Sequence, residues 1–141
     1  MTLMFLNGTA MYGQKDHACH SGSEFLGPAQ TTAAYRFFSV RDEFPGLLPV
    51  DAGGRCIAGE LYDIPDAILE TRLLPSEPKE LELGTIRLVD GEEVAAMLLR
   101  PDRLVAGDRL VDISELGGFR SYQRFLIANS RLGAVLGRPE W

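Results

Sequence analysis

Apolar residues recur along the chain in short runs bounded by Gly, Pro, Asp and Ser, a pattern that predicts strands more than helices. "TLMFLNG" reads as a buried strand ending at Gly8. "MYGQKDHACHSG" follows as a short helix or loop closed by Gly22. "EFLGPAQTTAAYRFFSVRD" predicts two strands with a polar bend near Gln30. "EFPGLLPVDAGGR", with Pro45, Gly46, Pro49, Gly53 and Gly54, is expected to be loop. "CIAGELYDIP" alternates Ile57, Gly59 and Leu61 against Ala58, Glu60 and Tyr62, as a strand does. A helix is expected next, with Pro65 at its start and Ile68, Leu69, Arg72 and Leu73 at helical spacing.

"LELGTIRLVDGEEVAAMLLR" predicts a hairpin turning at Asp90-Gly91, since Asp-Gly between apolar runs suits a tight β-turn. "DISELGGFRSYQRFLIANSR" predicts a helix capped by Asp112 and Glu115, with Leu116, Phe119, Tyr122 and Leu126 as its apolar stripe. Gly117-Gly118 in its first turn would cost helix stability, which points to close packing against another element. The sum is six or seven strands with two or three helices. The expected class is α+β, a curled, mostly antiparallel sheet or small barrel in one domain, 1–141.

Composition narrows the functional classes. At 141 residues with 45% hydrophobic and 24% charged residues, the chain has the balance of an ordinary globular domain. A net charge of −6 argues against a nucleic-acid surface. No apolar run approaches the ~20 residues that span a bilayer, and "MTLMFLNG" lacks the basic start of a signal peptide. Cys19 and Cys56 read as reduced packing thiols. The expectation is a cytoplasmic protein with no nucleic-acid or membrane partner.

Three stretches carry candidate chemistry. In "FLNGTAMYG", a strand ends at Gly8 and gives way to small residues. Such a turn can present successive backbone N–H groups to an anion; the bland alternative is a tight turn. In "LLPSEPKELELG", Glu77 lies between Pro75 and Pro78, which restrict its backbone. A carboxylate held against apolar walls has its pKa raised and can serve as general acid or base. Glu80 and Glu82 read as a solvated face. In "DHACH", His17 and His20 share a helical face with Cys19 beside them, but no second ligand cluster exists. A surface turn is the expected reading there, with no metal. No nucleophile elbow, P-loop or dinucleotide fingerprint occurs.

The order of these motifs resembles the gamma-glutamylcyclotransferase-like superfamily. "FLNGTAM" is similar to its strand-to-loop signature. "EFLGPAQTTAAYRFFSV" is similar to its next two strands, and "FPGLLPVDAGGRCIAGELYDIPDAIL" to its Pro-rich loop, Gly-Glu-Leu-Tyr strand and helix. The family's catalytic Glu follows that helix, and the equivalent stretch here is Leu73-Leu74-Pro75-Ser76-Glu77-Pro78. The resemblance therefore selects Glu77, with Glu80 as the alternative register. "LGTIRLVDGEEVAAMLLRPDRL" followed by "DISELGGFRSYQRFL" resembles the C-terminal domain of allophanate hydrolases. Asn7, Ala10 and Leu74 stand where the superfamily has Tyr, Asn and Asp.

What the resemblance implies is a small carboxylate, carbamate or amide substrate. Asn7, Gly8, Thr9, Ala10, Met11 and Tyr12 would floor its cavity, and Glu77 would transfer the proton. No metal or other cofactor is implied. The chemistry would be breakdown of an N-carboxylated product made by an amidase partner, or amine attack on a gamma-glutamyl amide. The alternative is a non-catalytic accessory module associated with an amidase. Homodimerisation stays open.

Overall fold

The most continuous apolar runs occupy the middle of one sheet, where both edges are paired and strict alternation is not required. In the computed structural model, which describes residues 2–104 and 107–136, these runs are β1 (Thr2–Leu6) and β7 (Glu93–Leu99). They lie parallel, with Met4 opposite Ala95 and Phe5 opposite Ala96. The other edge of β1 pairs antiparallel with β5 (Ala58–Ile64), which carries β2 (Glu24–Gln30) outside it. The other edge of β7 pairs with β6 (Leu81–Arg87) through the expected hairpin. In its turn Gly91 adopts φ +91°, a conformation that disfavours any side chain. A bridge between Thr31 and Leu88 ties the chain just past β2 to the residue that follows β6. The sheet therefore curls into a half-barrel around Phe5, Phe37, Leu47, Ile57, Ile64 and Leu73, all fully buried.

The segment expected to be loop corrects the sequence reading, because it contains a strand, β4 (Phe44–Pro49). β4 forms a hairpin with β3 (Tyr35–Val40). Arg41 and Asp42, at φ +53° and +58°, make the turn between them. Two positive-φ turn residues match the twist of paired strands, which is why the hairpin closes without glycine at a cost of roughly 1–2 kcal/mol per residue. Pro45 and Pro49 suggest a breaker, yet proline is tolerated where a strand's N–H is not needed by its neighbour. β4 touches β7 at a single register point, Leu47 opposite Leu98. Along one edge, β7 is thus paired first with β1 and then with β4, and those two strands part company between. The fork they leave is where the candidate site lies.

The expected helix after Pro65 forms at 66–76 and is called α1. It is α-helical at Asp66–Ile68 and Leu74–Ser76, with a π-helical middle at Leu69–Leu73. Leu69 and Leu73 bury in the core.

The C-terminal helix begins later than expected. Asp112 closes a short strand, β8 (Leu110–Asp112), paired with β3. Its carboxylate bonds the Arg36 guanidinium at 2.7 Å and the Ser114 N–H at 3.0 Å. A 3-10 turn, Ser114–Leu116, ends at Gly117 with φ +78°, and only then does α2 (Phe119–Leu136) start. The Gly-Gly pair lies before the helix, where the Gly117 carbonyl accepts the Ala58 N–H at 2.7 Å and Gly118 sits against Ala58. The expected stripe splits, with Phe119 and Tyr122 buried and Leu116 and Leu126 at the surface. With β4 and β8 the sheet has eight strands among the described residues, and the α+β class stands. No helix there is long and apolar enough to cross a membrane.

Candidate functional site

The fork between β1 and β4 holds a small cavity. Its floor is the end of β1 and the loop after it, Asn7, Gly8, Thr9 and Ala10. One wall is Phe44 and Pro45 of β4, another is Leu81 and Met97, and Glu77 closes it from the end of α1. Its volume is about 20 Å³, room for one water-sized group. Gly8 is required by this closeness, since a Cβ there would lie 2.8 Å from the Pro45 ring. Tight packing at the fork thus sets the loop against β4.

The loop is held by its carbonyls. Gly8 O accepts the Met11 N–H at 3.1 Å, and Thr9 O accepts the Asp16 N–H at 2.8 Å. Ala10 O accepts from both imidazoles, His17 Nδ1 at 3.1 Å and His20 Nε2 at 2.7 Å. A trans peptide points its N–H opposite to its C=O. The amides of Thr9 and Ala10 therefore face away from those partners, and neither finds an acceptor among the described residues. Asn7 Nδ2 is buried and also has no partner. A buried donor left unsatisfied costs about 1–3 kcal/mol, so the Asn7 amide in the cavity lining suits a ligand that brings an oxygen.

Glu77 is their counterpart. Extended backbone before Pro78, with φ −74° and ψ 146°, stops α1 and turns the carboxylate back to the fork. No cation and no hydrogen-bond donor meets that carboxylate among the described residues. Burial, with the negative charge of Asp16 adding to it, pushes its pKa up to about 7. Both protonation states are then accessible at neutral pH, the condition for a proton-transfer group. Outside the cavity an open groove of about 410 Å³ runs past Thr9, Lys15, Asp16 and Arg41.

The remaining candidates are placed elsewhere. The Met11 side chain is buried in the core and does not line the cavity. Tyr12 is turned to the surface, its N–H on Glu60 Oε1 at 2.8 Å. Glu80 corrects the reading of a solvated face, being 3% exposed and paired with Arg41 at 3.0 Å. Cys19 packs against the core, whereas Cys56 is exposed and does not. His17 and His20 are committed to the Ala10 carbonyl. Among the described residues no three His, Cys, Asp or Glu side chains converge as metal ligands. Burial pushes His20 below the ordinary histidine value, which leaves it neutral at pH 7.

Sequence reasoning missed the Phe44–Pro45 wall, because Pro and Gly read as loop. It also missed the clamp on the loop's far end. Arg120 donates to Tyr12 O at 2.7 Å and to Glu60 Oε2 at 2.9 Å. The alternation around Glu60 marked that residue as strand-borne, yet nothing local signals a partner from α2.

A half-barrel with this strand-to-loop cradle defines a gamma-glutamylcyclotransferase-like fold. The comparisons narrow that class: the model of the allophanate hydrolase C-terminal domain matches residues 2–124, and the chain belongs to that family. A crystal structure of a uropathogenic E. coli-specific protein is 37% identical, with a TM-score of 0.79 over 87% of this chain and 95% of that one. Kluyveromyces lactis allophanate hydrolase is 23% identical, with a TM-score of 0.80 over 89% of this chain. The match spans 21% of that enzyme, so this chain corresponds to about a fifth of it. An AIG2-like protein from Mus musculus shares the fold at 20% identity, with a TM-score of 0.55 over 75% of this chain and 80% of that one. A comparison with curated proteins finds no match.

Proposed function

We propose that this protein is a small enzyme in which Glu77 exchanges a proton with a carboxylate, carbamate or amide substrate held by the Asn7–Ala10 loop. The observation that carries the reading is the unpaired Glu77 carboxylate, poised at about pKa 7 and lining one cavity with the unsatisfied Asn7 amide. The cavity admits one polar group, and the rest of the substrate lies in the outer groove beside Lys15.

Similarity to allophanate hydrolase makes an N-carboxylated amide or urea the leading substrate class. Asn7 Nδ2 and the loop amides hold the carbonyl oxygen of the amide or urea. Phe44, Pro45 and Met97 offer the departing carboxylate no donor. Glu77 in its acid form gives its proton to nitrogen as the C–N bond breaks, the bond's electron pair stays on nitrogen, and CO2 leaves. Solvent then reprotonates Glu77. In the second chemistry, cyclisation of a gamma-glutamyl amide, the ionised carboxylate takes a proton from the attacking amine.

The two roles have opposite signs. An acid loses rate as pH rises through about 7, and a base loses rate as pH falls through it. Assaying both substrate classes with wild type and Glu77→Gln over pH 5–9 tests the reading. Turnover that survives the substitution sinks it. A second reading is favoured by the cavity's small volume together with Phe125 and Ile127 exposed on α2: an accessory module docked on an amidase. Stable capture of that amidase with no turnover by this chain would select it.

A further inference from the structure

The Ala10 carbonyl leads from the Glu77 cavity to a second one. The imidazoles that grip it line a larger hollow of about 530 Å³, within the range of small-molecule sites. Its wall is a contiguous arc of rings. Tyr12 meets His17 with centroids 5.4 Å apart, His17 meets Tyr62 at 6.0 Å, and Tyr62 meets Phe25 at 5.3 Å. The two ends of the arc, Tyr12 and Phe25, are 71% and 53% exposed, far more than rings placed for core packing.

The polar lining restricts the ligand. Among the described residues no Lys or Arg lines the hollow, and its one carboxylate is Glu60, so it offers an anion no fixed positive charge. Glu60 already accepts from Tyr12 N–H, the Tyr62 hydroxyl and Arg120, which leaves little for a ligand rich in N–H donors. Ring faces attract a cation that has no N–H to satisfy. Ser21, exposed in the same lining, offers its hydroxyl to one polar group of a ligand.

We infer that this hollow is a second binding site, separate from the Glu77 cavity, for a quaternary ammonium ion carrying a polar tail. The test titrates full-length protein with choline and with 3,3-dimethylbutan-1-ol, its uncharged isostere, following backbone amide resonances. Choline is expected to give saturable shifts at Tyr12, Gly22 and Ser23, with the isostere at least about tenfold weaker. Tyr12→Ala and Phe25→Ala each weaken choline about fivefold or more, and both alter exposed side chains that the core does not need. Glu77→Gln leaves choline affinity unchanged, so failure here is separable from failure of the proposed reaction. The inference is overturned if choline gives no saturable shift, if the isostere binds as well, or if both ring variants bind like wild type.

Discussion

Glu77 and Glu80 belong to the same short segment after α1, and they show two fates of a carboxylate leaving solvent. Glu80 is the deeper of the two, yet it faces Arg41 at 3.0 Å, whose guanidinium also meets Glu43 at 2.9 Å and Asp108 at 3.1 Å. Glu77 is less buried but has no cation, and the charge that bears on it is the like charge of Asp16. Desolvation without a partner disfavours the ionised form; desolvation with one is offset. The segment therefore separates a paired carboxylate from one with a raised pKa by partner, not by depth. Depth alone would have selected Glu80.

The sharpest way to break that contrast is Glu77→Gln. Proton transfer by a positioned group contributes roughly 10²–10⁴-fold, so kcat should fall by that order while the fold persists. Stability should move the other way. The folded pKa of about 7 stands above the ordinary 4.5, so the contribution is whole below pH 4.5 and lost as pH rises through 7. At pH 8 the variant should be more stable than wild type by up to about 3 kcal/mol, and near pH 4 the two should coincide. Equal urea midpoints at pH 8 would show that Glu77 is not desolvated in solution.

Arg41→Ala probes the other member. It strands a buried Glu80, the situation that costs about 3–5 kcal/mol in a closed interior. Arg41 is partly exposed, so the low end is expected, about 3 kcal/mol, across pH 5–9. Removal of the side chain also leaves a non-glycine residue at φ +53°, so Arg41→Gly should recover part of the loss. A drop of under about 0.5 kcal/mol in Arg41→Ala, the scale of an ordinary surface substitution, would make the pair a surface one.

These variants also explain what could be read in advance. β1, β5 and the β6–β7 hairpin were legible because their patterns are local: alternation, an apolar run, Asp-Gly between strands. Glu77 stood out in the sequence because two prolines mark a constrained backbone, and its segment does end α1 in extended backbone. β4 was not, since Phe-Pro-Gly reads as a break until β3 and β7 supply pairing on either side. The start of α2 was misplaced because Asp112 looks like a cap from its spacing, while its actual partner, Arg36, comes from a distant strand. Nor does spacing tell Glu80 from Glu77. The guanidinium that pairs with Glu80 arrives from the β3–β4 turn, a contact fixed by the whole sheet.

The finest test addresses Asp16, the smaller of the two influences on Glu77. Its N–H ties the loop to Thr9 O at 2.8 Å through the backbone, so Asp16→Asn keeps that bond and removes only the charge. Loss of a like charge eases ionisation of Glu77, and its pKa should fall from about 7 while staying above the ordinary 4.5, because burial is the larger cause. The limb of the kcat/KM profile should slide to lower pH by less than a unit, with its height little changed. The stability gain of Glu77→Gln at pH 8 should shrink in the Asp16→Asn background by the same linkage. An unmoved limb would leave burial as the whole cause and detach the Asp16 side chain from the site.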